Sequence, residues 1–303
     1  MTRVWLPDSP EALGGLPEGM VADVWTGGEP LPESAAEVEV IVLPGGVSPD
    51  LMRTVFGLPS LKLVQLTSAG AERVIPYIPD GVTLCNARGA HDSATAEWTV
   101  GAIVAYLRDF PRFITAQNEG RWDFALSEPV AGKRVLIVGY GSIGAAVERR
   151  LAGWDVVIER VARHARPGVL GVGDLHAALG RADVVVLLVP VTSETRKMAD
   201  AEFLTAMKDG ALLVNAARGA IVDTDALGKE LSSGRLKAVL DVTDPEPLPA
   251  GHPLWTAPGL LLTPHVGGAI RQVRERAYAV VRAQLARYAA GEPLRNVIGE
   301  RGY

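Results

Sequence analysis

The 303-residue chain contains one cysteine, Cys85. An intrachain disulfide and a cysteine metal cluster are both ruled out by that count. Cys85 lies in the apolar run Val82-Thr-Leu-Cys-Asn86, which reads as core rather than as the setting of a nucleophile. No apolar run approaches the ~18 residues of a membrane span, and the start, Met1-Thr-Arg-Val-Trp-Leu-Pro-Asp8, lacks a signal-peptide profile. Excess positive charge is missing too. The formal net charge of −5 argues against a nucleic-acid or anionic-membrane surface. Low-complexity tracts and sequence repeats are also lacking. What is present is the composition of a globular protein, 48% hydrophobic and 21% charged, long enough for one large or two ordinary domains. The expectation is a cytoplasmic protein with no metal site, no nucleic-acid partner and no membrane partner.

The chain is organised around Lys133-Arg-Val-Leu-Ile-Val-Gly-Tyr-Gly-Ser-Ile-Gly144. Residues 134–138 are an apolar, β-branched run that predicts a buried parallel strand. It stops at Gly139-Tyr140-Gly141-Ser142-Ile143-Gly144, and 145–151 predicts a helix. That strand–turn–helix is the setting in which G-x-G-x-x-G signifies a dinucleotide site. Gly139 allows the tight turn, Gly141 lets a pyrophosphate approach the backbone, and Gly144 lets the helix pack on the strand. The helix N-terminus then offers N–H groups to the phosphates. Taken alone, a glycine-rich strand-to-helix turn would be ordinary.

The first half carries short apolar runs at 4–6, 21–25, 38–43, 61–66 and 82–85, punctuated by Gly and Pro clusters, and predicts a small α/β domain. Residues 94–108 have helical apolar spacing over much of the circumference, followed by Pro111. The second half predicts strands at 134–138, 155–161, 183–189, 211–215, 237–241 and 260–263. Helices are expected at 142–152, 174–180, 200–208 and 223–233, and a long one at 269–290. Six parallel strands with intervening helices make a doubly wound nucleotide-binding domain.

Ligands in such sheets bind beyond the carboxyl ends of the strands. Arg218 follows the strand ending at Asn215, Glu246 follows the one ending at Asp241, and His265 follows the one ending at Leu262. Each alone reads as a solvated loop charge or a structural histidine. At successive strand ends beside a dinucleotide turn, they are the set needed for hydride transfer to a carbonyl acid. A guanidinium grips a 2-oxo acid bidentately, an imidazolium protonates the oxygen as hydride reaches the carbon, and a carboxylate fixes the imidazole's orientation.

With these residues in view, the whole chain resembles the D-isomer-specific 2-hydroxyacid dehydrogenases, especially their glyoxylate/hydroxypyruvate reductase branch. Besides the glycine turn, the likeness rests on Leu188-Val-Pro-Val-Thr-Ser-Glu-Thr195, on 215–223, on 241–249 and on Thr263-Pro-His-Val-Gly-Gly268. The resemblance implies that Arg218, Glu246 and His265 are catalytic. It implies that Asp241 lies near the nicotinamide, with further cofactor contacts at Pro190, Thr195, Ala216 and Gly267. It assigns the substrate carboxylate to the loop Thr67-Ser68-Ala69-Gly70-Ala71. It also implies two domains: 1–98 with 268–303 for substrate, flavodoxin-like, and 99–267 for cofactor, with the active site in a cleft that closes on binding. The segment after Gly144 is one or two residues shorter than is usual for the family.

That shortening bears on the cofactor. In an NAD-specific site an acid at the end of the second strand holds the ribose 2′-OH. If the strand in Asp155-Val-Val-Ile-Glu-Arg-Val-Ala-Arg-His164 ends early, Glu159 takes that role and NAD(H) is favoured. If it ends at Ala162, the place is neutral and Arg163, His164 and Arg166 follow, able to hold a 2′-phosphate. The longer apolar run favours the later end, so the expectation is NADP(H), with NAD(H) the alternative and a solvated basic loop the bland reading. The resemblance further implies a homodimer with the helix at 94–108 in the contact, the bland alternative being a helix buried between domains of one subunit. Trp122 resembles a tryptophan that reaches the neighbouring subunit's substrate pocket. Two other activities compete: formate or phosphite oxidation, against which Glu246 speaks because the formate enzymes pair their histidine with Gln, and a dinucleotide-sensing corepressor, which would keep the same three residues.

Overall fold

The structure, a computed structural model, describes residues 1–299. Aliphatic runs without polar alternation become strands covered on both faces. In the first half these are β1 (Thr2–Leu6), β2 (Met20–Val24), β3 (Val38–Leu43), β4 (Leu63–Leu66) and β5 (Thr83–Cys85). They form one parallel sheet in the order β2-β1-β3-β4-β5, the flavodoxin-like order. The helices α1 (Pro10–Leu13) and α2 (Pro49–Phe56) lie between them. Each starts on a serine, Ser9 or Ser48, whose hydroxyl accepts an N–H of the first turn, with proline next. Alternate residues serve opposite faces. Trp5, Ile41 and Val64 pack with Met52, Val55 and Phe56 of α2. Val4, Val40 and Leu63 pack with Tyr278, Val281 and Leu285, which come from the far end of the chain.

The second half gives α3 (Asp92–Leu107), α4 (Phe110–Asn118), β6 (Arg134–Val138), α5 (Ser142–Leu151), β7 (Val157–Val161), α6 (Leu175–Leu179), β8 (Val184–Leu187), α7 (Ala201–Ala206), β9 (Leu212–Asn215), α8 (Thr224–Ser232), β10 (Lys237–Leu240), β11 (Leu260–Leu262) and α9 (Val273–Ala289). The six strands pair in parallel in the order β11-β10-β9-β8-β6-β7. On one face Leu136, Val185, Leu213 and Leu240 pack with α6, α7 and α8. On the other, Val135, Ile137, Val186 and Val214 pack with Val100 and Ile103 of α3 and with Val147 and Leu151 of α5.

The chain divides into two compact units, Met1–His91 with the segment from Arg271 onward, and Asp92–Ile270. The boundary expected at 98/99 would cut through α3, a continuous helix that belongs wholly to the second unit. The other expected boundary, 267/268, falls instead just before α9. Residues 300–303 of the expected 268–303 segment lie outside the described residues. Three further differences have local causes. β7 begins at Val157 rather than 155, because Asp155 has φ 54° and a left-handed residue cannot continue a strand. The position beyond β7 is filled by a single parallel bridge, Val161 to Leu170, too short to carry a hydrophobic signature. Pro111, read as following a helix, sits in the first turn of α4, where its missing N–H leaves nothing unpaired.

The apolar circumference of α3 is accounted for inside its own unit. Ala96, Val100, Ala102, Ile103 and Leu107 are buried against the sheet and α5, so this helix alone does not call for a partner subunit. Exposed apolar side chains are found just downstream instead: Phe110, Ile114, Trp122, Phe124 and Leu126.

Candidate active site

The glycine turn is built as its three glycines require. Gly139 has φ 98°, and a Cβ there would lie 2.6 Å from the carbonyl carbon of Leu188, so no other residue fits between β6 and the start of the loop after β8. A Cβ on Gly144 would meet Gly139 O and Ile137 Cγ2, both at 3.1 Å, which is the close helix–strand approach. Gly141 caps α5 without a side-chain acceptor, and the helix begins at Ser142 and Ile143. The amides of Gly139 and Tyr140 both donate to the carbonyl of Val161, at 2.9 and 3.0 Å, tying the turn to the end of β7. A backbone turn with this geometry, opening a helix whose cap has no side-chain acceptor, fits a dinucleotide pyrophosphate.

Tyr140 is held from the side. Its hydroxyl bonds Glu148, Glu148 pairs with Arg160, and the Arg160 and Arg166 guanidinium carbons lie 5.6 and 5.7 Å from the ring centre. Arg160 holds the Glu148 carboxyl below its ordinary range, and the bond to Glu148 raises the Tyr140 phenol above its own.

At the end of β7 the pairing with β6 stops at Val161, one residue before the expected Ala162. Ala162 N turns away to donate to Leu170 O. Glu159 is in mid-strand opposite Leu136 and is committed to Arg134 at 2.8 Å and to Arg181, which together keep its carboxyl below the ordinary range, Arg181 most strongly. It is not at the strand end where a ribose-binding acid would stand. Arg163, His164 and Arg166 do follow the strand. Arg163 pairs with Glu194 at 2.7 Å, and Arg166 donates to the carbonyl of Tyr140 at 2.7 Å.

The three expected catalytic residues follow β9, β10 and β11, which are sheet neighbours. His265 Nδ1 lies 2.6 Å from Glu246 Oε1. The His265 loop is clamped by Asp241, 3% exposed. One carboxylate oxygen accepts from Thr263 Oγ1 at 2.6 Å and Val266 N at 2.8 Å, the other from Gly267 N at 2.7 Å, while the Asp241 carbonyl accepts from His265 N at 2.7 Å. His265 itself has φ 56°, a strained conformation for a non-glycine residue that this clamp maintains. Asn215, fully buried, does the same for Arg218: its Nδ2 donates to Arg218 O at 2.9 Å and its Oδ1 accepts from Ala217 N at 3.0 Å. One guanidinium N–H of Arg218 bonds the carbonyl of Ala217. Gly219 brings the two loops together, since a Cβ there would fall 1.9 Å from Thr243 O.

The remaining expected residues are placed as follows. Thr195 Oγ1 donates to Pro190 O at 2.6 Å and accepts from Thr192 N at 2.8 Å, so this hydroxyl braces the loop after β8. Ala216 continues β9 toward the Arg218 loop, its N–H reaching Leu187 O at 3.4 Å. In the first unit the loop after β4 is shaped by Ser68 Oγ bonding Gly70 O and by buried Asn86 bonding Ala69 O at 2.7 Å. Trp122 is 99% exposed. Sequence reasoning passed over Asn215, Gly219, Glu194 and the Glu148–Arg160 pair. Asn215 carried a signal, a polar residue closing an otherwise apolar strand. The others act through contacts with distant segments.

Residues 100–267 match the family model described as D-isomer specific 2-hydroxyacid dehydrogenase, NAD binding domain. Glyoxylate reductase of Thermofilum pendens is 34% identical over 249 residues, 77% of this chain and 74% of that protein. A D-isomer specific 2-hydroxyacid dehydrogenase from Xanthobacter autotrophicus, solved with NADPH and MES, superposes with a TM-score of 0.86 at 29% identity, covering 99% of this chain and 98% of that one. An NADPH-dependent glyoxylate/hydroxypyruvate reductase from Sinorhizobium meliloti, solved with NADP and sulfate, gives 0.86 at 27% identity over the whole of both chains. No helix among the described residues is long and apolar enough to cross a membrane. The glycine turn, the doubly wound sheet and these likenesses together establish that the chain belongs to the D-isomer specific 2-hydroxyacid dehydrogenases, oxidoreductases that move a hydride between a nicotinamide dinucleotide and a 2-oxo or 2-hydroxy acid.

Proposed function

We propose that this chain is a reductase of small 2-oxo acids of the glyoxylate and hydroxypyruvate kind, working as a homodimer with NADP(H) in preference to NAD(H). The observation that carries the reading is the His265–Glu246 contact at 2.6 Å on a loop clamped by Asp241. The dinucleotide, when bound, supplies the hydride. Arg218 grips the substrate carboxylate and polarises the carbonyl. His265, with Nδ1 engaged by Glu246, presents Nε2 to the carbonyl oxygen and gives it a proton as the carbon becomes C–H, leaving a 2-hydroxy acid. Ser68, Ala69 and Gly70 supply backbone groups to the substrate carboxylate. The glycine turn from Gly139 to Gly144 takes the pyrophosphate, and Pro190, Thr195, Ala216, Asp241 and Gly267 line the rest of the cofactor's path.

The NADP(H) preference is supported by the removal of Glu159 from contention and by Arg163, His164 and Arg166 at the end of β7. The two solved neighbours are complexes with NADPH and with NADP. The homodimer is supported by the exposed Phe110, Ile114, Trp122, Phe124 and Leu126, a run that a single subunit leaves in water, with Trp122 of the partner subunit completing the substrate pocket. Turnover of a panel of 2-oxo acids with each cofactor tests the reading. A higher specificity constant with NADPH, and no oxidation of formate, are expected. A higher constant with NADH would sink the cofactor preference. A monomer in sedimentation at micromolar concentration would remove the dimer and the role of Trp122.

A further inference from the structure

In the second sheet β6 lies between β7 and β8, so the loops after β7 and β8 flank the glycine turn on either side. Arg163 belongs to the first loop and Glu194 to the second. Their ion pair, Arg163 Nη2 to Glu194 Oε1 at 2.7 Å, therefore spans the carboxyl end of β6. Glu194 is held in a braced turn rather than on a loose tip. Its own N–H donates to Thr192 Oγ1 at 3.2 Å, and Thr195 Oγ1 ties the same turn to Pro190 O. Arg166, by contrast, rests on the neutral carbonyl and ring of Tyr140. Of these two arginines after β7, one is thus occupied by a carboxylate and the other by uncharged groups.

We propose that Glu194 is a specificity-determining residue, an internal anion that competes with a cofactor 2′-phosphate for Arg163. This deepens the reading above and rests on Arg163 receiving that phosphate. A 2′-phosphate must displace Glu194 from the guanidinium and then sits near its negative charge. A 2′-hydroxyl carries no charge and meets no such competitor. The pair is half exposed, 47% and 61%, so its hold is modest and screened by salt. Glu194 accordingly sets the size of the NADPH preference rather than its direction.

The test measures dissociation constants of NADPH and NADH by quenching of protein fluorescence, on the full chain and on E194Q, R163A and the double variant. E194Q should bind NADPH about two- to fivefold more tightly at low ionic strength, with the gain fading toward ~0.5 M salt. NADH affinity should stay within about twofold, and E194Q should add nothing in the R163A background. If R163A weakens NADPH binding but E194Q leaves it unchanged, or weakens both cofactors alike, the competition is overturned while the cofactor reading stands. A gain from E194Q that persists without Arg163 also overturns it, since the effect would then be general charge. If R163A leaves NADPH affinity intact, both proposals fall.

Discussion

Asn215 and Asp241 are buried and bond backbone groups of the loops that follow β9 and β11. Arg163, Glu194 and Arg166, at the other side of the same sheet edge, lie nearer the solvent and pair with one another or with Tyr140. On the roles proposed for them, the two sides solve different problems. A proton donor must stand within a few tenths of an ångström of its place for the chemistry to run, and a buried carboxylate with three N–H or O–H donors enforces that. A group that recognises a phosphate must be free to exchange partners, and an exposed ion pair permits it at little energetic cost.

The comparison breaks first at His265. Replacing it with Ala should cost on the order of 10²–10⁴-fold in turnover, with cofactor affinity barely changed. A near wild-type rate would remove it from the catalytic set. Arg218→Lys should fail as well, because a point charge cannot reproduce the planar fork.

Next come the supports. Asp241→Asn keeps the size of the side chain but sets an NH₂ against Val266 N–H or Gly267 N–H. Leaving a buried donor unmatched costs about 1–3 kcal/mol, so kcat should fall roughly 5- to 150-fold by the same figure. If only thermal stability drops and kcat holds, the clamp is structural and does not position His265. Gly219→Ala should be severe for a different reason: its Cβ would fall inside the backbone at Thr243, and no rotamer relieves a backbone clash. A soluble Gly219→Ala with unaltered melting and turnover would show that the two loops can separate freely.

On the exposed side effects should shrink. Arg163→Ala should raise the Michaelis constant for NADPH about tenfold, within the range for a hydrogen bond to a charged group, and that for NADH much less. Smallest of all is Glu128, an exposed carboxylate that holds Lys133 and Lys237, whose contacts draw its pKa down to about 2 from 4.5, Lys133 most strongly. A depressed carboxylate stabilises the fold above its unfolded pKa, so this contribution is present at neutral pH and is lost as pH falls from about 4.5 toward 2. With the side chain 46% exposed, it should amount to less than ~1 kcal/mol. Acid unfolding of Glu128→Gln should shift accordingly slightly; a large shift would place Glu128 among the buried clamps.

Much of this was legible beforehand because it is local. The strand, turn and helix from Arg134 to Leu151 are consecutive residues, and apolar runs such as 183–189 announce buried strands. Arg218, Glu246 and His265 could be singled out because topology puts successive strand ends side by side. What could not be read depends on pairings between remote segments. Glu159 lies in mid-strand through its pairing opposite Leu136 and is occupied by Arg134 and Arg181, Gly219 must be glycine because of Thr243, and the fate of α3's apolar surface depends on α5 lying against it. The strand position filled by Leu170 is one residue long, below any periodic signal.

The first unit is assembled from both ends of the chain. Tyr278, Val281 and Leu285 of α9 fill the same core as Val4, Val40 and Leu63, and Ile298 N bonds Leu84 O. During synthesis, then, β1 to β5 are made long before the residues of α9 that complete their core. The nucleotide-binding unit, translated later, can close first, while β1 to β5 wait with one face bare until α9 emerges. For as long as that interval lasts, Val4, Leu6, Val40 and Val42 lack the α9 side chains that cover them, and a chain cut before residue 273 would carry every residue of the nucleotide-binding unit but an unfinished first sheet.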